Sequence, residues 1–472
     1  DNSFRVARAD AAFEMSEALT LRAGADWKRY GFDSRELRRT SETQVPALTS
    51  TQLQALTTLY SISGRTALPE GTPRTFVVPN LEAFADTLGI YSNTGMFQLF
   101  GIENATARSN FRTVTERDLG AFGQVDYNFE LGSVELRGNI GARYVQTRQR
   151  SSGYTNTATT YVLTTVEREY DHILPSFNIA AELPGDIILR GAAARVMSRP
   201  DIGTLNPGGA FSVSGANRTF SRGNPNLQPI EATTVDFSAE WYFAPESALI
   251  LGLFYKDISS FVSTVPEQLP FSQLGLPESL LAPYPDLTPA SIFTVTQPVN
   301  GDGGIVKGLE VGLQMPFRFL EGPLDNLGML VNYTFVDAEI EYPLTVSATP
   351  LTTRQPLIGL SRHSANATLY YEDSRFSMRG SVAYRSGYLT QVPGRNGNNS
   401  GLPTFNDVEG THGTINVDMA ASLVLTDNVT LTLEGVNLTD AYTDQYIDSR
   451  ADRLSVYHHT GRQFYVGARF NF

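Results

Sequence analysis

Five histidines invite the first chemical question, because imidazole both ligates metals and moves protons. His458 and His459 are adjacent, so in an extended strand they point to opposite sides and cannot share one ion. His363 and His412 lie far off in sequence. Asn300-Gly301-Asp302-Gly303-Gly304 has the composition of a calcium loop but lacks the downstream Glu of an EF-hand. It reads as a glycine-rich loop leading into Gly308-Leu309-Glu310. There is no GxSxG, HExxH or P-loop, and no Ser/His/Asp spacing singles out a triad. No catalytic residue, cofactor or metal site is therefore expected. Binding chemistry is better represented. Tyr91, Phe97 and Phe100 offer aromatic faces; Asn396, Asn398 and Asn399 offer amides; Tyr442, Asp444, Tyr446 and Asp448 offer both rings and carboxylates. The same tyrosines would equally serve as an aromatic girdle at a membrane interface.

The elements that carry these residues show a period of two. Leu19, Leu21, Ala23, Ala25 and Trp27 share one face, and Thr20, Arg22, Gly24 and Asp26 the other. Leu119 to Phe129 alternate with Asp118 to Asn128 in the same way, as do Val235 to Phe243 and Ile415 to Leu425 with their neighbours. These runs exceed the roughly 5–6 residues usual for soluble strands. Composition agrees with a wet-and-oily surface. Aromatics are 11%, charged residues only 18%, and mean hydropathy is −0.18. No apolar run approaches the ~18 residues of a spanning helix, but a barrel strand needs only about 10 of alternating character. Cysteine is absent, which removes disulfides and thiolate chemistry. A net charge of −13 argues against nucleic acid as a partner.

Connections alternate between two lengths. Short turns fall near Ser16-Glu17, Leu131-Gly132-Ser133, Pro184-Gly185-Asp186, Ala244-Pro245-Glu246, Glu321-Gly322-Pro323, Glu372-Asp373-Ser374 and Thr426-Asp427-Asn428. Long polar segments are expected at 33–115, 148–169, 197–231, 262–303, 342–361, 386–411 and 443–459. Hairpins with short turns at one end and long loops at the other describe an outer-membrane barrel. The expected fold is all-β: an antiparallel transmembrane β-barrel with about 15 strands in residues 1–472 and long extracellular loops carrying short helices. A propeller is disfavoured, because no repeat of 40–50 residues is found. One loop helix is predicted between an Asn80 N-cap and a Gly89 C-cap; Leu53, Leu56 and Leu59 suggest another. Such folded loops would form a lid or ligand surface, or simply cover the rim.

Several segments, in order, resemble TonB-dependent outer-membrane receptors. Arg137-Gly138-Asn139-Ile140-Gly141-Ala142-Arg143-Tyr144 looks like that family's RGNxGxRY strand, and Ser198-Arg199-Pro200-Asp201 resembles its SRP stretch. Gly223-Asn224-Pro225-Asn226-Leu227-Gln228-Pro229 is similar to its GNPxLxP segment, Gly308-Leu309-Glu310 to its GxE strand entry, and Val436-Asn437-Leu438-Thr439-Asp440 to its NLTD element. The two prolines of GNPNLQP fix φ and remove donors, so a rigid segment is expected to enter a strand at Thr233. Arg199 and Asp201 are candidates to bind a ligand or plug, or to pair with each other or with neighbouring loops.

The resemblance implies active import of a nutrient across the bacterial outer membrane, with an oligosaccharide favoured. A ferric-siderophore receptor of the same family and a passive porin stay open as alternatives. Arg354, Arg395, Arg450 and Arg453 in the loops suit the siderophore alternative. A barrel hydrolase stays open only because its site would be assembled in space. The resemblance further implies a 22-stranded barrel with a plug and a TonB-contacting segment ahead of it, neither of which is recognisable here. Residues 1–472 are accordingly expected to be the C-terminal portion of one barrel domain. The expected partners are outer-membrane lipid, a small-molecule or oligosaccharide ligand, the TonB complex acting through the plug, and the remaining N-terminal barrel and plug segment, with a separate chain as one alternative. At the other end, Phe464, Val466, Ala468, Phe470 and Phe472 share one face of GRQFYVGARFNF and should meet lipid. Phe464, Val466, Phe470 and the terminal Phe472 resemble the signal read by barrel-assembly machinery.

Overall fold

The computed structural model describes the chain except residues 63–70, 157–160, 216, 344–351, 396–405 and 472. Fifteen antiparallel strands form the wall: β1 (Asn2–Ser16), β2 (Leu19–Ser34), β3 (Arg112–Leu131), β4 (Val134–Asn156), β5 (Tyr161–Leu183), β6 (Ile187–Ser198), β7 (Ile230–Ala244), β8 (Ser247–Pro270), β9 (Ile292–Pro316), β10 (Leu327–Pro343), β11 (His363–Glu372), β12 (Phe376–Arg385), β13 (Thr414–Thr426), β14 (Val429–Val436) and β15 (Gln463–Phe470). Each pairs antiparallel with the next in sequence. Among the described residues no ladder joins β1 to β15.

One end of the wall carries the tight turns. Gly132 and Gly185 turn the chain with φ of +64° and +85°, a region open to glycine at no steric cost. The link between β9 and β10 is longer than expected, because a 3-10 turn at Gly322–Asn326 occupies it. Long connections occupy the opposite end. Two of them are shorter than the sequence reading. β4 and β5 stay paired from Glu135↔Glu182 out to Asn156↔Tyr161, so 148–169 is mostly ladder. β8 and β9 pair out to Pro270↔Ile292, so 262–303 is mostly ladder too, and the glycine-rich stretch at 300–304 is strand rather than loop. Beyond the membrane the covered face of β4 carries polar residues such as Gln149, Ser151 and Thr155, so the apolar alternation fades while backbone pairing continues. Gly303 permits close approach: a Cβ there would lie 1.8 Å from the Ile258 carbonyl oxygen.

The loop helices form where caps allow. α1 (Ser50–Ala55) starts at Thr49, which makes a capping box with Gln52. α2 (Leu81–Leu88) is capped by the Asn80 side chain, which accepts from the Ala83 N–H, and ends at Gly89 with φ +60°. Leu59, grouped with α1 in the sequence reading, belongs instead to the strand Thr57–Ser61.

Most of the buried apolar side chains lie at the long-loop end rather than along the wall. The largest buried cluster joins loop residues to the outer end of β9: Phe211, Phe220, Phe271, Leu274, Leu280 and Leu281 pack with Phe293 and Val295. Phe211 stacks on Phe293 with ring centroids 5.0 Å apart. By contrast, many large apolar side chains of the wall point outward and uncovered. Leu119 is 54% exposed, Leu433 55% and Val466 84%. A water-soluble sheet would bury that face; hydrocarbon satisfies it. No helix of the described residues is long and apolar enough to cross a membrane, so any crossing is by strands.

Candidate functional site

Register assigns the faces. Trp27 pairs with Leu119 on the outer face, and Asp26 with Gly120 on the inner one. The inner face is largely polar along β2–β7, with an apolar patch of Val306, Val336 and Ala338 against Phe254 and Ile258 on β8–β10. Asn139 accepts from Asn178 at 2.9 Å, Arg190 pairs with Glu240 at 2.7 Å, and Arg22 with Asp126. Asp26, 8% exposed, is held by Arg143 at 2.6 Å and Lys28 at 3.4 Å. Facing the interior along β3–β9 is a cleft of about 770 Å³ whose walls include Gln124, Asn139, Asn178, Asp236, Phe254 and Glu310. The GxE entry has a packing role here: a Cβ at Gly308 would lie 2.6 Å from the Phe254 ring, so glycine leaves room for that aromatic.

Higher on the same face sits a buried charged cluster that the sequence reading did not assemble. Asp118 is 3% exposed and Glu116 4%. Arg199 pairs with Asp118 at 3.0 Å and donates to the Thr147 hydroxyl, also at 3.0 Å. Arg168 donates to the carbonyls of Leu227 (2.7 Å) and Pro225 (3.2 Å), and Gln149 donates to Pro225 at 3.0 Å. These contacts tie the GNPNLQP segment down over the wall. Leu227 completes the seal with Val114 and Leu205. Asn300 brackets Gln228 with two hydrogen bonds, at 2.8 and 3.0 Å. The strand that follows begins at Ile230, three residues before the expected Thr233. Burial pushes the Glu116 carboxyl above its ordinary range; Asp118 adds to this, while Arg199 and Arg168 oppose it. The signal in the sequence was parity: Glu116 and Asp118 continue the polar face of β3.

The candidates fall into separate groups. Arg199 is engaged with Asp118, and the Asp201 carboxylate accepts from the Gly203 N–H at 2.7 Å, starting the turn Ile202–Leu205. They do not pair with each other. Tyr442, Asp444 and Tyr446 come together on a four-stranded rim sheet built from Tyr388–Gln391, Glu409–Thr411, Thr443–Ile447 and Arg453–His458. Tyr442 stacks near Tyr457 at 4.9 Å, and the Asp444 carbonyl accepts from the His412 N–H at 2.9 Å. Tyr446 packs on His412 at 4.8 Å and over Gly410, where a Cβ would lie 2.5 Å from its ring. Burial is the main cause raising the Tyr446 phenol pKa, with Asp452 and Asp407 adding to it. Tyr446 also lines a cleft of about 280 Å³ with Asp337, Glu339, Arg354, Arg362 and Tyr388. Tyr91, 86% exposed, and Phe100, on the short strand Leu99–Phe100, lie in the first long loop. Asn396 and Asn398 lie outside the described residues, as does Phe472. No group of three or more His, Asp or Glu among the described residues could hold a metal.

A polar-lined wall with an apolar outer band, tight turns at one end and folded loops at the other defines a membrane β-barrel. The family description "TonB dependent receptor-like, beta-barrel" matches residues 1–438, and the chain belongs to that family. No curated protein matches the chain significantly in sequence. Among solved structures, it is similar to the siderophore receptor PiuA from Acinetobacter baumannii (TM-score 0.55, 13% identity, covering 99% of this chain and 56% of that one). It is also similar to the copper transporter OprC (0.56, 13%, 100% and 57%) and to the ferric yersiniabactin uptake receptor FyuA from Yersinia pestis (0.53, 10%, 100% and 54%). These likenesses show the fold. The chain spans a little over half the length of those receptors.

Proposed function

We propose that this chain forms the wall and mouth of an outer-membrane importer, and that its ligand is a ferric or other metal chelate rather than an oligosaccharide. The family match over residues 1–438 carries the import reading. The ligand reading rests on similarity to receptors whose names specify a siderophore, yersiniabactin and copper. It corrects the leaning toward carbohydrate, which none of these supports. A rim cleft offers Tyr388 and Tyr446 as ring faces for a ring-bearing chelate, beside Arg354 and Arg362, which pair with Glu339 and Asp337.

In this reading the inner polar wall, with its cleft beside β3–β9, receives a plug domain supplied from outside residues 1–472. The complete barrel would have 22 strands, and the TonB complex would act on the plug. Residues of this chain bind, orient and release; none performs covalent chemistry. The deciding experiment is titration of the full-length receptor in detergent with ferric chelates and with oligosaccharides, alongside planar-bilayer conductance. Saturable chelate binding with a closed pore is expected. Oligosaccharide binding without chelate binding overturns the ligand assignment. A steady open-pore conductance with neither ligand bound overturns the importer.

A further inference from the structure

The outer face of the wall changes character abruptly on its long-loop side. Just inside the boundary, Ala7, Trp27 and Leu119 are consecutive cross-strand partners and all outward. One step further from the turns, the outward partners are Arg5↔Arg29, Arg29↔Arg117 and Arg117↔Arg148. Four arginines thus stand directly opposite one another across β1 to β4. Arg150, two residues beyond Arg148, is outward too.

Such a row is costly by itself. Like charges placed directly opposite in a ladder destabilise it. The whole chain carries −13, so cations are scarce and carboxylates plentiful. Yet only the far end is neutralised within the protein, by Arg148–Glu169 at 3.0 Å and Arg150–Glu167 at 3.3 Å. Among the described residues, the guanidinium groups of Arg5, Arg29 and Arg117 have no ion-pair or hydrogen-bond partner. Arg29, Arg117, Arg148 and Arg150 border one open cleft of about 560 Å³. With strands about 4.8 Å apart, Arg5 and Arg148 are separated by about 14 Å, room for more than one phosphate.

Position names the occupant. A ligand for import enters through the interior, and these side chains face away from it. They border the apolar band, so what reaches them is the polar end of a molecule whose chains cover Trp27, Leu119 and Tyr144. We propose that the Arg5–Arg29–Arg117–Arg148 row binds the phosphorylated headgroup of a lipid in the outer leaflet. Guanidinium matches phosphate in bidentate geometry, and the lipid's phosphates relieve the repulsion within the row.

This rests on the outer-membrane reading, and the test separates the two. The full-length receptor is reconstituted, and bilayer insertion is checked by heat-modifiable electrophoretic mobility. Lipid retention is then measured by native mass spectrometry with three probes: a bisphosphorylated glycolipid, the same glycolipid dephosphorylated, and inorganic phosphate as competitor. Wild type should retain the phosphorylated lipid selectively. Each Arg-to-Gln change should weaken retention about fivefold, from about 1 kcal/mol per basic residue, and the Arg29→Gln/Arg117→Gln/Arg148→Gln variant about a hundredfold. Arg375→Gln, at the turn end, should have no effect. Equal retention of the dephosphorylated lipid, unchanged retention in the variants, or full displacement by inorganic phosphate at matched concentration overturns the site. Failure of wild type to insert overturns the membrane reading instead. Single substitutions guard against misfolding, since the Arg29 and Arg117 side chains enter no ion pair or hydrogen bond among the described residues.

Discussion

Arg199 and Glu116 share one buried patch and lead to opposite expectations. Arg199→Ala leaves the carboxylate of Asp118 buried without its cation, which should cost about 3–5 kcal/mol. Thermal denaturation in detergent checks this, and Asp118→Asn added to the same chain should recover most of the loss. Glu116 behaves differently, because its carboxyl is pushed up by burial. A carboxyl held above its ordinary value of 4.5 binds its proton more tightly folded than unfolded. Its contribution is therefore most favourable below that value and is lost as pH rises through the raised pKa. Glu116→Gln should melt higher than wild type at neutral pH, with the gap closing in acid. A gap independent of pH would show that burial of Glu116 is not the cause. Neither behaviour could be read from residue types alone. Arg199 was visible as part of an SRP stretch, but its partner lies 81 positions earlier and only the register of β3 brings it near.

Between strands, the GNPNLQP segment links sequence pattern to architecture. Its prolines were legible as a stop to pairing; its destination was not, because the hydrogen bonds that receive it come from Gln149 and Arg168 on β4 and β5. Leu227 is 1% exposed at the centre of that contact. Leu227→Ala should cost about 2–5 kcal/mol and loosen the loop from the wall, read as faster proteolysis within 199–229. The rim sheet gives a functional counterpart. Tyr446→Ala should weaken chelate binding to the full-length receptor about tenfold, roughly one stacked ring, while Tyr91→Ala, in a different loop, should change it less. The period-two runs revealed β2, β3, β7 and β13 because lipid on one side and water on the other force alternation. The outer half of β4 escaped because the face that loops cover there is itself polar, with Thr147, Gln149, Ser151 and Thr155 buried, so burial leaves no apolar period.

For the molecule as a whole, the outward apolar band is the property that decides where it can live. Val466 projects from β15 beside Leu433 on β14, both outward. Val466→Arg should cost about 2–4 kcal/mol near the bilayer midplane and less toward its edges. Glu434→Arg, on the inner face of β14, should be tolerated. Folded yield in lipid vesicles distinguishes them. β8 and β9 are 24 and 25 residues long, where a crossing takes about 10. The remainder continues as a ladder, on the order of 30 Å beyond the headgroups once tilt is allowed for. That hairpin is a mast: its backbone amides should exchange with deuterium as slowly in the open medium as within the bilayer. A ligand arriving from outside would then meet a fixed docking surface well above the lipid, before any loop has to move.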